Sequence, residues 1–155
     1  MLQFKITNPE ATIPKKAGKD EVGYDITALS CDKIINNKTY MYDTGLQVKP
    51  PAGYYLEIVP RSSIVKTGYI LSNSVGIIDP TYRGNLKIVL TKVDDSAPNL
   101  RLPFTKCQLV LKKLHEAEII DIGDAEWDDT ERGDGGFGST DALPPVEDEE
   151  KQSDN

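Results

Sequence analysis

The chain has little of what most metal and nucleophile chemistry uses. It holds two cysteines, one histidine and one tryptophan in 155 residues. Cys31 and Cys107 stand alone, with no C-x-x-C pair and only His115 as a neutral nitrogen ligand, which argues against a Cys/His metal site. A single His so far along the chain from the serines also makes a Ser/His/Asp arrangement unconvincing. No apolar run approaches the ~20 residues that a membrane helix needs, and no signal-peptide pattern is visible. A soluble protein, cytoplasmic or otherwise intracellular and without a membrane partner, is expected. Basic charge is in deficit, with 18 Lys and Arg against 25 Asp and Glu and a net charge of −7. Such a chain is a poor candidate for direct nucleic-acid binding. The deficit is uneven, because residues 141–155 carry six acids and one Lys. Helical periodicity is scarce, and no internal repeat is visible.

What is present points to strands. Ten Pro and twelve Gly punctuate short runs of Tyr, Val and Ile. That pattern predicts an all-β sandwich or barrel of one domain. Residues 2–7 alternate as a first strand. Further strand material follows at 25–28, 38–48 (broken at Thr44-Gly45), 53–59, 103–114 and, alternating, 116–122. Pro50-Pro51-Ala52-Gly53 reads as a turn.

The centre of the sequence is residues 71–87. Two apolar runs, 75–78 and 86–90, flank turn formers and read as the arms of a β-hairpin with a long loop. Asp79 precedes Pro80 and is biased toward extended backbone. Pro80 suits the first central position of a turn, and Gly84 can take positive φ. A carboxylate is thereby held at the mouth of a rigid turn, three residues before Tyr82.

Four other stretches carry polar chemistry. Gly23-Tyr24-Asp25 places a carboxylate at a strand start. In Pro60-Arg61-Ser62-Ser63 a strand stops where one or two helical turns can begin, ending at Gly68. Serines there can cap the helix, or they can join Arg61 and backbone N–H groups around an anion. Gln108 interrupts an apolar run, where it can satisfy a buried backbone group. Arg132-Gly133-Asp134-Gly135-Gly136-Phe137-Gly138-Ser139-Thr140 is too glycine-rich to hold a shape unaided, yet it carries a cation and an aromatic face. The expected organisation is a core at 1–122, a linker and glycine-rich arm at 123–140, and an acidic disordered tail at 141–155.

In this order, the five stretches resemble the five motifs of the trimeric dUTPase family, across roughly residues 2–140. The resemblance implies a jelly-roll-like β-barrel or sandwich with one short helix, and a homotrimer whose C-terminal arm reaches a neighbouring subunit. It implies Mg²⁺-assisted hydrolysis of dUTP to dUMP and pyrophosphate, which limits uracil in DNA and supplies dUMP for dTMP synthesis. Asp79 would orient and deprotonate the attacking water. Tyr82 would pack on the deoxyribose and exclude a 2′-hydroxyl. The backbone of Gly76, Ile77 and Ile78, and again near Lys87, would read the uracil edge beside Asn73. Arg61, Ser62, Ser63 and Gln108 would hold phosphates, and Asp25 would hold waters of the metal's outer shell. Arg132 would reach the γ-phosphate and Phe137 would stack on uracil. Gly138, Ser139 and Thr140 would close over the triphosphate.

A related deaminase of dCTP, alone or bifunctional, needs a Glu on the strand after the hairpin. Val89 stands there instead. A non-catalytic regulator of the same fold would have little need of Asp79, Tyr82, Arg132 and Phe137 together.

Overall fold

The computed structural model describes residues 1–136. Ten strands and one 3₁₀ helix form in the order β1 (Gln3–Ile6), β2 (Tyr24–Ala28), β3 (Ser30–Ile34), β4 (Thr39–Asp43), β5 (Leu46–Lys49), β6 (Tyr54–Pro60), the helix Ser62–Lys66, β7 (Tyr69–Leu71), β8 (Gly76–Ile78), β9 (Lys87–Lys92) and β10 (Phe104–Lys113). Two four-stranded antiparallel sheets, β2-β10-β6-β8 and β3-β4-β9-β7, and a two-stranded β1-β5 ladder make up the architecture. The sheets do not close on themselves, so the expected all-β jelly-roll takes its sandwich form. Among the described residues, no helix is long and apolar enough to cross a membrane.

Period-2 burial explains the packing. Leu56 and Ile58 of β6, Cys107 and Leu109 of β10, and Ile88 and Leu90 of β9 all turn into one core. Residues between them are only partly covered, as one inward face per strand requires. Tyr42 of one sheet meets Phe104 of the other edge-to-face, with centroids 4.9 Å apart. That contact joins the two layers. Burial pushes the Cys107 thiol up to about 12, so it behaves as a small hydrophobe.

Three expectations need correction. The runs at 75–78 and 86–90 are not two arms of one hairpin. β8 pairs with β6 (Gly76 opposite Ile58), whereas β9 pairs with β4 and β7 in the other sheet. Apolar–turn–apolar patterning marks strands but does not name their partners. Gly84 is absent from the positive-φ residues, while Ser74 takes φ 58° in the turn before β8. Residues 116–122 alternate but form no strand among the described residues. Alternation supplies a face, and a strand also needs a neighbour for its backbone. β3 went unread because its five residues are all exposed and lack alternation. It is a charged edge strand of its sheet.

The chain clusters into two units, Met1–Ala117 and Glu118–Asn155. The first holds all ten strands. In the second, the described part is a series of turns, with hydrogen bonds such as Ala125 N–H to Ile122 carbonyl at 3.1 Å.

Leu90 is fully buried at the centre of β9. Leu90→Ala should lower unfolding free energy by about 2–5 kcal/mol in urea titration, with the slope unchanged.

Candidate active site

Asp79 leaves β8 just beyond the Ile78–Leu56 pair, beside the start of β6. The Tyr82 amide donates to the Asp79 carbonyl at 3.1 Å, so Pro80 occupies the first central position of a turn, as expected. Asp79 lines an open cleft of about 380 Å³ with Tyr55, Ile77, Pro80, Lys113 at the end of β10, and Leu114 and His115 just past it. Distance along the sequence was therefore a poor reason to set His115 aside. No serine lines this cleft, so a serine nucleophile gains nothing from it.

β8 is the last strand of its sheet, and its outer edge has no ladder partner among the described residues. A Cβ on Gly76 would come within 3.1 Å of Ile58 Cβ and 3.3 Å of Asn73 Nδ2. Gly76 thus lets β8 approach β6 closely and keeps Asn73 alongside. Ile77 is exposed and Ile78 half-buried. Gly76, Ile77, Ile78 and Asn73 are brought together with Asp79.

The loop from Asp79 to Leu86 crosses from one sheet to the other. The Tyr82 hydroxyl donates to the Asn85 carbonyl at 2.9 Å. A methyl on Gly84 would strike the Tyr82 ring where it stands, so glycine leaves the ring its place without taking positive φ. Asn85 Nδ2 donates to both Asp43 oxygens at 3.1 and 3.0 Å, and Lys87 Nζ meets Asp43 at 2.5 Å and Asp32 at 3.1 Å. Burial raises the Asp43 carboxyl, but hydrogen bonds from Lys87, the Gly45 amide and Asn85 outweigh it and hold it below its ordinary 3.8. Burial lowers Lys87, but Asp43 and Asp32 hold it above its ordinary 10.5. The Lys87 side chain is thus committed to two carboxylates, and its ladder partner is Asp43, in the sheet that lacks β8. The hairpin expected to carry both Lys87 and Gly76–Ile78 does not form, because β8 pairs with β6 while β9 pairs with β4 and β7. Nothing in the sequence reading pointed to Asp43 or Asn85. The Asp-Thr-Gly turn before β5 was the available signal.

A second cluster forms elsewhere on the first sheet. Asp25 stands opposite Gln108 in the β2–β10 ladder. Arg61 Nε meets Asp25 Oδ1 at 3.0 Å, and Arg61 Nη1 donates to the Thr105 carbonyl at 3.3 Å. Gln108 Nε2 donates to the Pro60 carbonyl at 3.2 Å, so it does satisfy a backbone group. Any side chain at Gly23 would run into Gln108. Asp25 and Arg61 line a cleft of about 330 Å³ with Lys15, Lys16, Thr27 and Thr105. The 3₁₀ helix begins after Arg61 with no side-chain cap, so Ser62 and Ser63 do not serve as its caps.

The two clusters lie at opposite ends of β6. Arg61 follows its last residue, while Asp79 sits by Tyr55. At ~3.3 Å per residue the separation is about 20 Å. Arg132 belongs to the second unit, where its Nε donates to the Gly135 carbonyl at 2.9 Å. Phe137, Gly138, Ser139 and Thr140 lie outside the described residues.

A family model for dUTPase matches residues 9–141. The chain belongs to the dUTPase family. The deoxyuridine 5′-triphosphate nucleotidohydrolase of Escherichia phage T5 is 34% identical over 150 residues, covering 90% of this chain and 98% of that one. The Candida albicans enzyme of the same name is 34% identical over 140 residues, covering 90% and 87%. Among solved structures, Staphylococcus bacteriophage 80alpha dUTPase with dUpNHpp superposes with a TM-score of 0.66 at 22% identity, covering 90% of this chain and 97% of that one. At that identity the likeness speaks for the dUTPase fold alone.

The Asp43–Lys87 anchor has a signed pH dependence. Asp43's contribution is present above about pH 4 and is lost as pH falls through its lowered folded pKa. Lys87's is present below about pH 10.5 and is lost as pH rises through its raised folded pKa. Asp43→Asn should therefore destabilise the chain by about 1–3 kcal/mol near neutrality, with the gap to wild type closing toward pH 3 in thermal melts.

Proposed function

We propose that this chain hydrolyses dUTP to dUMP and pyrophosphate, in homotrimers whose sites are assembled from different subunits. The observation that carries this reading is the split of the motif residues between two ends of one sheet. Asp25, Arg61 and Gln108 converge at one end, and Asp79 with Tyr82 at the other. A nucleoside triphosphate cannot contact both ends of one chain across ~20 Å of strand. Two copies set side by side can present both halves to one substrate.

In this reading Arg61, Ser62, Ser63 and Gln108 donate to phosphate oxygens, Arg61 as a planar charged fork. Arg132 takes the γ-phosphate, Phe137 stacks on the base, and Gly138, Ser139 and Thr140 close over the triphosphate, with the arm reaching a neighbouring subunit. Uracil meets the free edge of β8 at Gly76, Ile77 and Ile78, beside Asn73. Its acceptor–donor–acceptor edge suits fixed backbone groups. Cytosine would leave buried partners unmatched, at about 1–3 kcal/mol each. Tyr82 packs on the deoxyribose and denies space to a 2′-hydroxyl. Asp79 orients a water toward the α-phosphorus and accepts its proton, while pyrophosphate departs on the far side.

The donor set suits Mg²⁺ carried on the substrate. Among the described residues, no cluster of three His, Cys, Asp or Glu could ligate a metal directly. Asp25 engages Arg61 through Oδ1, and its carboxylate can take a water of the ion's outer shell. Mg²⁺ usually keeps several waters and binds through phosphates, where it neutralises their charge. Removing dUTP in this way limits uracil in DNA and provides dUMP for dTMP synthesis. A deaminase reading lacks support at Val89, whose side chain is a hydrocarbon and whose backbone carbonyl accepts from the Ser72 amide.

Asp79→Asn should lower turnover at least about 100-fold while leaving affinity for a nonhydrolysable dUTP analogue within a few-fold. Co-refolding Asp79→Asn with Arg61→Ala, both nearly inactive alone, should restore up to about a quarter of wild-type turnover, because each site draws its halves independently. No recovery in mixed trimers would refute shared sites. Wild-type protein that releases no pyrophosphate from dUTP would refute the activity.

A further inference from the structure

The strongest feature outside the proposed chemistry is the polar chain that ties the Tyr82 hydroxyl to the second sheet. The hydroxyl donates to the Asn85 carbonyl at 2.9 Å. The Asn85 side chain is held at both ends: Nδ2 donates to the two Asp43 oxygens, and Oδ1 accepts from the Thr7 hydroxyl at 3.1 Å. Asp43 in turn takes the Gly45 amide at 2.7 Å and Lys87 Nζ at 2.5 Å. Asp43 and Lys87 stand directly opposite each other in the β4–β9 ladder, so the chain of bonds ends on rigid strands. Tyr82 as a residue is 40% exposed. An exposed ring ordinarily samples several rotamers on short timescales. This ring is tethered at its tip and sits against Gly84.

We propose that Asp43 and Asn85 are positioning residues that set the choice between 2′-deoxy and 2′-hydroxy nucleotides by holding the Tyr82 ring in place. The proposal rests on the reading of Tyr82 as the face that meets the sugar. Exclusion by contact works only if the excluding group cannot retreat. A ring free to move by an ångström would admit one extra oxygen, and supporting residues decide whether it can move. Asp43 touches no substrate here and acts only through Asn85.

The test measures kcat/KM for dUTP and for UTP, with Mg²⁺, on the full chain. Where UTP turnover is too slow to follow, inhibition by dUMP and UMP reads the same ratio. Asp43→Ala, Asn85→Ala and Tyr82→Phe should each lower the dUTP-over-UTP ratio about three- to tenfold, the worth of one hydrogen bond. The double variant Asp43→Ala/Tyr82→Phe should fall no further than the worse single, because both act along one path. If Tyr82→Ala collapses the ratio while Asp43→Ala and Asn85→Ala keep it at the wild-type value, the positioning role is overturned and the sugar-face reading survives. Equal losses on both substrates that track a lower Tm would likewise overturn it, as the mark of a merely structural anchor. If Tyr82→Ala leaves the ratio unchanged, the sugar-face reading itself fails. Should Asp43→Ala not fold, Asn85→Ala decides the matter alone, since it leaves the Asp43–Lys87 pair in place.

Discussion

Leu86 is the point on which the site depends. It is fully buried, and it carries the backbone into the second sheet. Its amide donates to the Leu46 carbonyl at 2.7 Å, and its carbonyl accepts from both the Thr44 amide and the Thr44 hydroxyl, at 3.2 and 2.9 Å. A crossing loop would otherwise bury unpaired backbone groups, each costing about 1–3 kcal/mol. Thr44, itself buried, removes that cost. With the exit of the loop nailed to the core and its entry fixed by the β8–β6 ladder, the turn between them has little freedom. Asp79 and Tyr82 inherit their places from those two ends.

The first sheet explains why the motif residues divide into two groups. β6 runs the length of the first sheet, with Tyr54 at one end and Pro60 at the other. β10 lies beside it from Lys113 to Cys107, and β2 continues the sheet through Asp25. Anything placed by the end of β6 near Pro60 joins the Arg61–Asp25–Gln108 cluster. Anything placed by Tyr55 joins Asp79. A strand is a ruler of about 3.3 Å per residue, so no loop motion of modest size brings the two groups together. Burial and charge reinforce the split. Arg61 is paired with a carboxylate and a carbonyl on its own side, whereas Asp79 shares its cleft with His115 and Lys113.

Much of this was legible before the structure. Short apolar runs between turn formers marked most strands, Pro60 and Gly68 bracketed the short helix, and Pro80 set the turn that follows Asp79. These are local properties, set by side-chain period and by the φ that Pro and Gly allow. The five motif stretches could likewise be read from residue types and order, and the family match over residues 9–141 agrees with them. β3 was missed because an edge strand exposed along its whole length has no period to read.

What residue order alone determined, then, was the strand-rich class, the turn chemistry and the order of the five motif stretches. Each of these is written along the chain in short stretches of neighbouring residues. Pairing was decided only in three dimensions. β8 chose β6 and β9 chose β4 and β7, so an apparent hairpin became a bridge between sheets. The Asp43–Asn85–Tyr82 chain, the His115 edge of the Asp79 cleft and the distance between the two clusters all follow from that choice. Partner selection depends on which faces can be buried together across long separations in sequence, and no local pattern carries that information.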